Sequence, residues 1–276
     1  MIRLKTENFD PAQILRSGQC FRMKEESEGL YSVIAGRRYL TLERQGAECV
    51  FHCDETEFYD FWEQYFDLKE NYASYIERIA PEDVYLKNAA DFGKGIRILH
   101  QDLWEMIVSF LISQQNNIVR IRRCIENICV HYGEKLTNIH GSTFHAFPIP
   151  EALAGLEENA LMACNLGYRS KYVVRTARSV AEGKCDLDYI GKASYKEARE
   201  GLLQLFGVGE KVADCICLFG LHKLEAFPVD THIRQALQKH YEKGFPMDYY
   251  KGVQGVMQQY IFYYELAGRN FEDPKE

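Results

Sequence analysis

Two helices joined by a tight hairpin are predicted by the segment Leu205-Phe206-Gly207-Val208-Gly209-Glu210-Lys211-Val212-Ala213-Asp214-Cys215. An amphipathic stretch precedes the two glycines, and an apolar helix that includes Phe219 follows them. Two glycines this close together allow a tight turn, and the N–H groups at the start of the second helix can then approach a phosphate. We therefore predict a helix-hairpin-helix over about residues 195–220. Gly-x-Gly alone is also typical of an ordinary turn between helices.

The N-terminal part of the chain predicts a small antiparallel sheet. Three runs rich in β-formers, Leu30–Ile34, Tyr39–Leu42 and Cys49–Phe51, are separated by Gly36 and Gly46. Runs this short, with glycines between them, are typical of a meander.

Helices are predicted on both sides of this sheet. A short one follows the N-cap Asp10 with Pro11 at its first position, and it ends before Gly18, which is expected to adopt a positive φ. After the sheet the apolar spacing becomes helical and stays so. The predicted fold class is therefore α+β. A small N-terminal antiparallel β-sheet domain with helices, 1–91, precedes a larger all-α domain, 92–276, that contains the helix-hairpin-helix, and a cleft between them is expected.

Composition excludes several classes of protein. The 276 residues are 46% hydrophobic and 26% charged, which is typical of a globular protein. No apolar run approaches the roughly 18 residues of a membrane span, and the start of the chain lacks the apolar stretch of a signal peptide. The nine cysteines form no Cys-x-x-Cys pair, so a zinc or iron–sulfur cluster is not expected. We expect reduced thiols and a cytoplasmic location.

Charge is unevenly distributed along the chain. The net charge is −7, but residues 54–91 carry eleven acids against three bases, or −8, so the remainder sums to +1. Residues 164–185 carry five bases against one acid. This +4 stretch could meet phosphate, and the alternative is a solvated helix face.

Lys211 and Asp230 are the candidate catalytic residues. Lys211 falls in the first turn of the second predicted helix, where the positive end of the helix dipole disfavours an ammonium, and a free amine there could form a Schiff base. Asp230 is predicted to cap a helix that begins at Thr231, and its carboxylate could stabilise a developing cation. The alternatives are a solvated lysine and an aspartate that only caps a helix.

Several separated motifs carry a resemblance to a known superfamily. Gly-Val-Gly-x-Lys followed by Pro-Val-Asp is the pattern of the helix-hairpin-helix DNA glycosylases. The chain most closely resembles their 8-oxoguanine DNA glycosylase/lyases of the eukaryotic type, over nearly its whole length. The further motifs are Ser17-Gly18-Gln19-Cys20-Phe21-Arg22, Ser113-Gln114-Gln115-Asn116-Asn117-Ile118-Val119-Arg120, Leu166-Gly167-Tyr168-Arg169, and Gln258 with Phe262.

The resemblance implies a bifunctional enzyme. It would excise 8-oxoguanine from duplex DNA, preferentially opposite cytosine, and then nick the strand by β-elimination. Lys211 would attack C1′ of the damaged nucleotide, and Asp230 would support the cationic sugar. The implied partner is double-stranded DNA that contains 8-oxoguanine, and a monomer is expected.

The resemblance also assigns a pocket for the flipped base. Phe262 and Cys215 would sandwich the base, Gln258 would bond its Watson–Crick edge, and the Gly18 carbonyl would accept N7–H. The family further suggests a thiolate–ammonium pair between Cys215 and Lys211. A base that leaves the stack needs such a pocket to offset the cost of unstacking. From the residues alone, core packing of the phenylalanine and cysteine and a surface amide remain the alternatives.

DNA contacts are implied at a second set of positions. Arg120 and Arg169 would contact the cytosine left behind, and Tyr168 would act as a wedge in the duplex. For the arginines, phosphate contact or simple solvation stays open. Gly207 and Gly209 would hold backbone phosphate. The remaining implied DNA-binding residues are Gln115, Asn116, Asn117 and His232.

Two departures from the family pattern stand out. Phe206 occupies the hairpin position where the family usually has proline, and Gln115 replaces the asparagine that fills the gap in the duplex. They affect the shape of the hairpin and the strictness toward the opposite base. The shorter N-terminal domain suggests a prokaryotic version.

The implied chemistry requires no cofactor, and the resemblance also suggests a cation that bridges the hairpin and a DNA phosphate. Two alternatives stay open. One is another helix-hairpin-helix glycosylase, acting on alkylated bases or adenine; Lys211 argues against a purely hydrolytic enzyme, and the missing cysteine cluster argues against the iron–sulfur branch. The other is a non-catalytic DNA-binding protein that uses the hairpin only to hold phosphate.

Overall fold

The computed structural model describes residues 1–139 and 141–271, with side chains up to Ala267. Its N-terminal part holds a five-stranded antiparallel sheet in the order β1-β5-β4-β3-β2. The strands are β1 (Ile2–Lys5), β2 (Met23–Ser27), β3 (Leu30–Ala35), β4 (Arg38–Gln45) and β5 (Glu48–Phe51). The three predicted strands are confirmed. The two edge strands, β1 and β2, were not predicted. Strand β2 reads Met-Lys-Glu-Glu-Ser and exposes all but its first residue, so its sequence lacks the apolar residues typical of a strand.

Helix α1 (Pro11–Arg16) has the predicted capping. The Asp10 carboxylate accepts the Ala12 N–H at 2.9 Å, and Pro11 occupies the first position. Gly18 has φ +76°, as predicted for the residue that turns the chain after the helix.

Helices dominate the rest of the described chain. They are α2 (Glu55–Glu57), α3 (Glu63–Tyr65), α4 (Tyr72–Glu77), α5 (Val84–Phe92), α6 (Leu103–Ser113), α7 (Ile118–Tyr132), α8 (Pro150–Ala154), α9 (Ser170–Ala181), α10 (Leu187–Lys192), α11 (Tyr195–Leu202), α12 (Glu210–Gly220), α13 (Thr231–His240) and α14 (Gln254–Phe271), with one π-helical turn (Phe58–Trp62) and two 3₁₀ turns (Ala160–Cys164 and Gly167–Arg169). The α+β class is confirmed. No helix among these residues is long and apolar enough to cross a membrane.

A β-hairpin interrupts the helical part, where only helices were predicted. Strands β6 (Lys135–Thr137) and β7 (Thr143–His145) pair antiparallel. Three-residue strands are too short to show a period in the sequence. The hairpin is held by tertiary contacts, because the Phe144 ring packs on Tyr39 of the sheet at 5.5 Å and Arg22 donates to the His145 carbonyl.

Two hydrophobic cores account for most of the buried residues. The first lies on the sheet and contains Phe51, Trp62 and Phe66. The second lies among the helices and contains Phe21 together with residues from Tyr72 onward. The chain crosses between them more than once, since Leu99 joins the first core. The domain boundary at residues 91 and 92 stays a prediction.

The predicted helix-hairpin-helix is present as α11, a turn and α12. The turn is closed by the Val208 N–H, which donates to the Leu205 carbonyl at 3.1 Å. Asp214 of α12 locks the two helices together by accepting from the Tyr195 hydroxyl at 2.8 Å and from Arg199 Nε at 2.7 Å. The angle of the second helix is therefore fixed by polar bonds as well as by packing.

The basic stretch 164–185 is mostly used inside the protein. Arg175 pairs with Glu158 at 2.7 Å, and Arg178 donates to the Ala154 carbonyl at 2.9 Å. These contacts favour a role of the two arginines within the protein over a role in phosphate binding. All nine cysteines are free thiols, as predicted.

Candidate active site

The six residues assigned to catalysis and base recognition surround one cavity. It has a volume of about 50 Å³. The six are Gly18, Lys211, Cys215, Asp230, Gln258 and Phe262. They come from the turn after α1, from α12, from the start of α13 and from α14, so only folding brings them together. A water molecule occupies about 30 Å³ in the liquid. The cavity therefore has to open before it can hold a base.

Lys211 lies in the first turn of α12 and reaches the cavity beside two other side chains. Its Nζ lies 5.7 Å from the centre of the Phe110 ring, and Cys215 lies one turn along the same helix. Burial raises the pKa of Cys215, and the neighbouring lysine opposes this only in part. The direction of this shift favours the neutral thiol over the thiolate–ammonium pair that the resemblance suggests.

Asp230 caps α13 as predicted. Its Oδ1 accepts the Ile233 N–H at 2.8 Å, and α13 begins at Thr231. This bond fixes the carboxylate at the entrance of the cavity, which it lines together with Lys211. A fixed negative group at this place can stabilise positive charge that develops on a bound sugar.

Gln258 is only 4% exposed, and one end of its amide has no partner. Its Nε2 donates to the Pro228 carbonyl at 3.0 Å, and its Oε1 is buried without a hydrogen bond among the described residues. A buried acceptor left unpaired costs about 1–3 kcal/mol. The cost is recovered when a ligand donates to it, so Gln258 is suited to reading a polar edge.

Phe262 closes the cavity against Gly18. A Cβ atom added to Gly18 would lie 3.1 Å from Cε1 of the Phe262 ring, and the positive φ of this glycine disfavours any side chain there. The neighbouring Ser17 carbonyl accepts Gln259 Nε2 at 2.6 Å, which anchors the turn to α14. The ring and the turn therefore form one wall of the cavity.

An open cleft of about 1170 Å³ lies outside the cavity. Of the predicted DNA-binding residues, it is lined by Gln115, Asn116, Asn117, Arg120 and His232. Some of these side chains also shape the protein, since Asn117 Oδ1 caps α7 by accepting the Arg120 N–H at 2.9 Å and Asn116 Nδ2 donates to the Ile112 carbonyl at 3.1 Å. Nδ1 of His232 has no partner among the described residues. Arg120 is exposed in the cleft.

Arg169 does not line the cleft, contrary to what its predicted base contact requires. It is 4% exposed, and it donates to the Gln114 carbonyl through Nε at 2.8 Å and to the Gln115 carbonyl through Nη2 at 2.8 Å. Gln115 is held with φ +48°, and its Oε1 accepts the Tyr168 hydroxyl at 3.4 Å. In the free protein Arg169 positions Gln115, and Tyr168 is exposed at the rim as a wedge should be.

The two hairpin glycines differ in what the fold demands of them. At Gly207, with φ +90°, a Cβ would lie 2.7 Å from Cγ of Tyr172, so the fold itself requires glycine. Gly209 has φ −95° and gives α12 no side-chain cap, and a Cβ added to it would meet no atom of the described residues within 4 Å. The N–H groups of the first turn of α12 thus keep open space around them, as a phosphate site needs. Phe206 is 41% exposed beside this site.

Sequence reasoning missed several residues of the cavity. Phe110, Phe219, Pro228 and Gln259 line it together with the predicted six. Phe110 belongs to the nearly all-apolar helix α6, where nothing in the sequence separates a cavity wall from ordinary core. Gln259 adjoins Gln258, and only the tertiary structure shows that it supports the turn at Gly18.

Comparisons with known proteins agree with this arrangement. The model of the N-terminal domain of 8-oxoguanine DNA glycosylases matches residues 1–107, and the model of HhH-GPD superfamily base excision DNA repair proteins matches residues 108–244. The N-glycosylase/DNA lyase of Saccharomyces cerevisiae is 38% identical over 176 residues, 58% of this chain and 47% of that protein. The chain thus spans about half the length of this curated relative.

Solved structures match over more of their length. The 8-oxoguanine glycosylase/lyase of Clostridium acetobutylicum in its apo form has 37% identity and a TM-score of 0.88, over 94% of each chain. The same protein with double-stranded DNA containing cytosine opposite 8-oxoguanine has 36% identity and a TM-score of 0.88, over 95% of this chain and 93% of that one.

The fold and the cavity thus define a helix-hairpin-helix protein of the base excision repair superfamily, as the resemblance implied. Within that superfamily, the chain belongs to the 8-oxoguanine DNA glycosylase family.

Proposed function

We propose that this protein is a bifunctional DNA glycosylase and apurinic-site lyase that excises 8-oxoguanine from duplex DNA, preferentially opposite cytosine. The observation that carries the proposal is the cavity, where an amine, a carboxylate, an aromatic ring and an unpaired buried amide oxygen converge. A protein that used the hairpin only to hold phosphate would have no need of this set. The related Clostridium acetobutylicum protein is an 8-oxoguanine glycosylase/lyase, which supports the same substrate.

The flipped base is read from two sides. Its Watson–Crick edge donates to Oε1 of Gln258, which satisfies the acceptor that is unpaired in the free protein. That edge is the same in guanine and 8-oxoguanine, so discrimination falls to N7, which carries a hydrogen only in the lesion. The Gly18 carbonyl, on a turn that only glycine adopts without strain, accepts this hydrogen.

Base removal begins when the lone pair of Lys211 Nζ forms a bond to C1′. The bond from C1′ to the base breaks, and the base leaves with its electron pair and takes up a proton. Positive charge that builds on the sugar in this step is stabilised by the carboxylate of Asp230.

Strand cleavage then proceeds through the covalent intermediate. The sugar ring opens to an imine between Lys211 and C1′. A proton leaves C2′, and the 3′-phosphate departs by β-elimination. Hydrolysis of the imine returns the free lysine.

The duplex is held outside the cavity. The N-terminus of α12 binds a phosphate through backbone N–H groups, and His232 donates to a second one. Tyr168 and Gln115 fill the gap in the duplex, and Arg120 contacts the unpaired cytosine. Gln115 in place of asparagine makes the preference for cytosine incomplete. The enzyme acts as a monomer without an organic cofactor, and a cation at the hairpin is a further part of the proposal.

Two measurements on the wild-type protein test this function. Borohydride reduction in the presence of a duplex with 8-oxoguanine opposite cytosine should trap a covalent protein–DNA adduct, which neither a hydrolytic glycosylase nor a simple binding protein forms. Cleavage of duplexes with each of the four bases opposite the lesion should be fastest with cytosine. Cleavage of alkylated or mismatched adenine duplexes without activity on 8-oxoguanine would assign a different substrate.

A further inference from the structure

A second cluster of chemically capable side chains lies away from the catalytic cavity. Asp67, His100 and His222 place one ligand atom each within 4.8 Å of one another. His100 Nε2 lies 3.3 Å from Asp67 Oδ1, and His222 Nε2 lies 3.3 Å from Asp67 Oδ2. The two imidazole rings are nearly parallel, with centroids 3.6 Å apart. Both rings therefore present Nε2 to the same carboxylate, and Nε2 of His222 also lies 3.2 Å from the Ile98 carbonyl oxygen.

These separations are compatible with metal ligands as well as with long hydrogen bonds. A charge-assisted N–H···O bond has a donor–acceptor distance of about 2.7–2.9 Å, shorter than the distances found here. Ligand atoms held at about 2.0–2.1 Å from a tetrahedral zinc ion lie about 3.3 Å apart, which matches the distance from Oδ1 to one imidazole and from Oδ2 to the other. Because the two rings are stacked nearly parallel, they have to tilt apart before both nitrogen lone pairs can meet one ion.

The carboxylate is already oriented by neighbouring groups. The Tyr72 hydroxyl donates to Asp67 Oδ2 at 2.9 Å, and Arg97 Nη1 donates to the Asp67 backbone carbonyl at 2.6 Å. The cluster thus supplies a carboxylate with outer-shell partners of the kind that metal sites use.

The location of the cluster gives an ion both access and a structural effect. His100 and His222 line one surface groove, so the site can be reached from solvent. Asp67 follows the helices packed on the sheet, whereas His222 lies just beyond the end of α12. Because α12 rises about 1.5 Å per residue, this end lies about 15 Å from Lys211. An ion here would connect the N-terminal domain to the helix that carries the candidate nucleophile.

We propose that Asp67, His100 and His222 bind one divalent transition-metal ion of the zinc class, with a water molecule as the fourth ligand. Two imidazoles and one carboxylate favour zinc, cobalt and nickel over magnesium or calcium, which prefer oxygen-only sites. The ion stabilises the junction between the domains and takes no part in the reaction at Lys211. This site is distinct from a cation at the hairpin.

Titration of metal-free full-length protein with ZnCl₂ in a calorimeter tests the proposal. We expect one ion per chain for the wild type and for the control His131→Gln, whose histidine is exposed on α7. His100→Gln and His222→Gln should each weaken binding by about 100-fold or more, since even the loss of an outer-shell partner costs about 10- to 100-fold. Borohydride trapping of lesion DNA by both variants, at the wild-type rate, would show that they are folded.

Cobalt supplies an independent spectroscopic reading. The wild type with one equivalent of Co²⁺ should show the visible absorption of a low-symmetry site without a thiolate charge-transfer band, because eight of the nine cysteines are buried elsewhere. A thiolate band would move the ion to a cysteine and overturn the assignment. So would unchanged zinc affinity in both histidine variants, or a wild type that binds no stoichiometric ion.

Discussion

The small cavity around Lys211 and the larger cleft beside it are built in opposite ways. In the cavity, buried Gln258 keeps an acceptor that has no partner among the described residues. In the cleft, polar side-chain atoms form hydrogen bonds to the backbone of the protein itself, as seen at Asn116, at Asn117 and at the nearby Arg169. The cavity thus presents side chains that are available to bind a ligand. In the cleft, by contrast, the backbone is fixed by side-chain hydrogen bonds, and few of the described side chains are available for DNA contacts. Substitutions in the two regions should therefore have different effects on activity and on stability.

Lys211→Gln should produce the largest effect. Without the amine no imine forms, so borohydride trapping should disappear and strand cleavage should fall by about 10⁴-fold or more. Affinity for lesion DNA should stay within about threefold, because binding rests on phosphate contacts in the cleft. Lys192→Gln, at an exposed position on α10, is the matched control and should trap normally. An adduct that persists in the Lys211 variant would assign the nucleophile to another residue.

Gly18→Ala should be next in size. The new Cβ would meet the Phe262 ring at 3.1 Å at a residue with φ +76°, so the turn and its carbonyl must move. We expect 8-oxoguanine excision to fall by about 100-fold, measured by single-turnover kinetics.

A substrate analogue separates the carbonyl from the steric effect. In wild-type protein, 7-deaza-8-oxoguanine keeps a hydrogen at position 7 but on carbon, and it should bind more weakly than 8-oxoguanine. Equal binding of the two would mean that the Gly18 carbonyl does not discriminate.

Gln258→Leu and Gln259→Leu compare two adjacent glutamines that line the same cavity. The first removes the acceptor that lacks a partner among the described residues, so excision should fall about 10- to 100-fold. Removing that acceptor also offsets the loss of the 3.0 Å bond to the Pro228 carbonyl, so the free energy of unfolding should change by less than about 1 kcal/mol. The second breaks the 2.6 Å bond to the Ser17 carbonyl and should lower the free energy of unfolding by about 1–3 kcal/mol. Urea unfolding and excision rates measured on both variants test this contrast. A reversed pattern, in which Gln258→Leu mainly lowers stability and Gln259→Leu mainly lowers excision, would contradict it.

Arg120→Ala, in the cleft, and Arg169→Ala, buried beside it, should also differ in their effects on activity and stability. Arg120 is exposed, so its loss should reduce the preference for cytosine by about 1–3 kcal/mol with no change in stability. Arg169 is buried on two carbonyls, and its loss should lower the free energy of unfolding by about 1.5–3 kcal/mol. Cleavage opposite each base and thermal melts test the pair. A fully stable Arg169→Ala protein would contradict the positioning role.

The smallest effect concerns the Cys215 thiol. Its raised pKa leaves little thiolate near neutral pH, and the side chain is 3% exposed. Iodoacetamide at pH 7.5 should therefore modify the half-buried Cys185 well before Cys215, as mapped by mass spectrometry. Rapid alkylation of Cys215 would instead support the thiolate–ammonium pair that the resemblance suggests.

Local sequence was enough wherever a residue's role depends on its neighbours along the chain. Asp10 and Asp230 are N-caps, Gly18 has a positive φ, and the hairpin lies where two glycines predict it. These features need only a few adjacent residues, and the backbone sterics and hydrogen bonds that fix them act over one turn of chain.

Other features depended on partners far away in the sequence. The β6–β7 hairpin, the inward position of Arg169, the role of Gln259 and the approach of His222 to Asp67 each join segments dozens of residues apart. These features are stabilised by burial and by hydrogen bonds that exist only once the cores have formed, so no local sequence pattern indicates them. The sequence by itself determined which groups could do chemistry, and the tertiary structure decided which of them are free to do it.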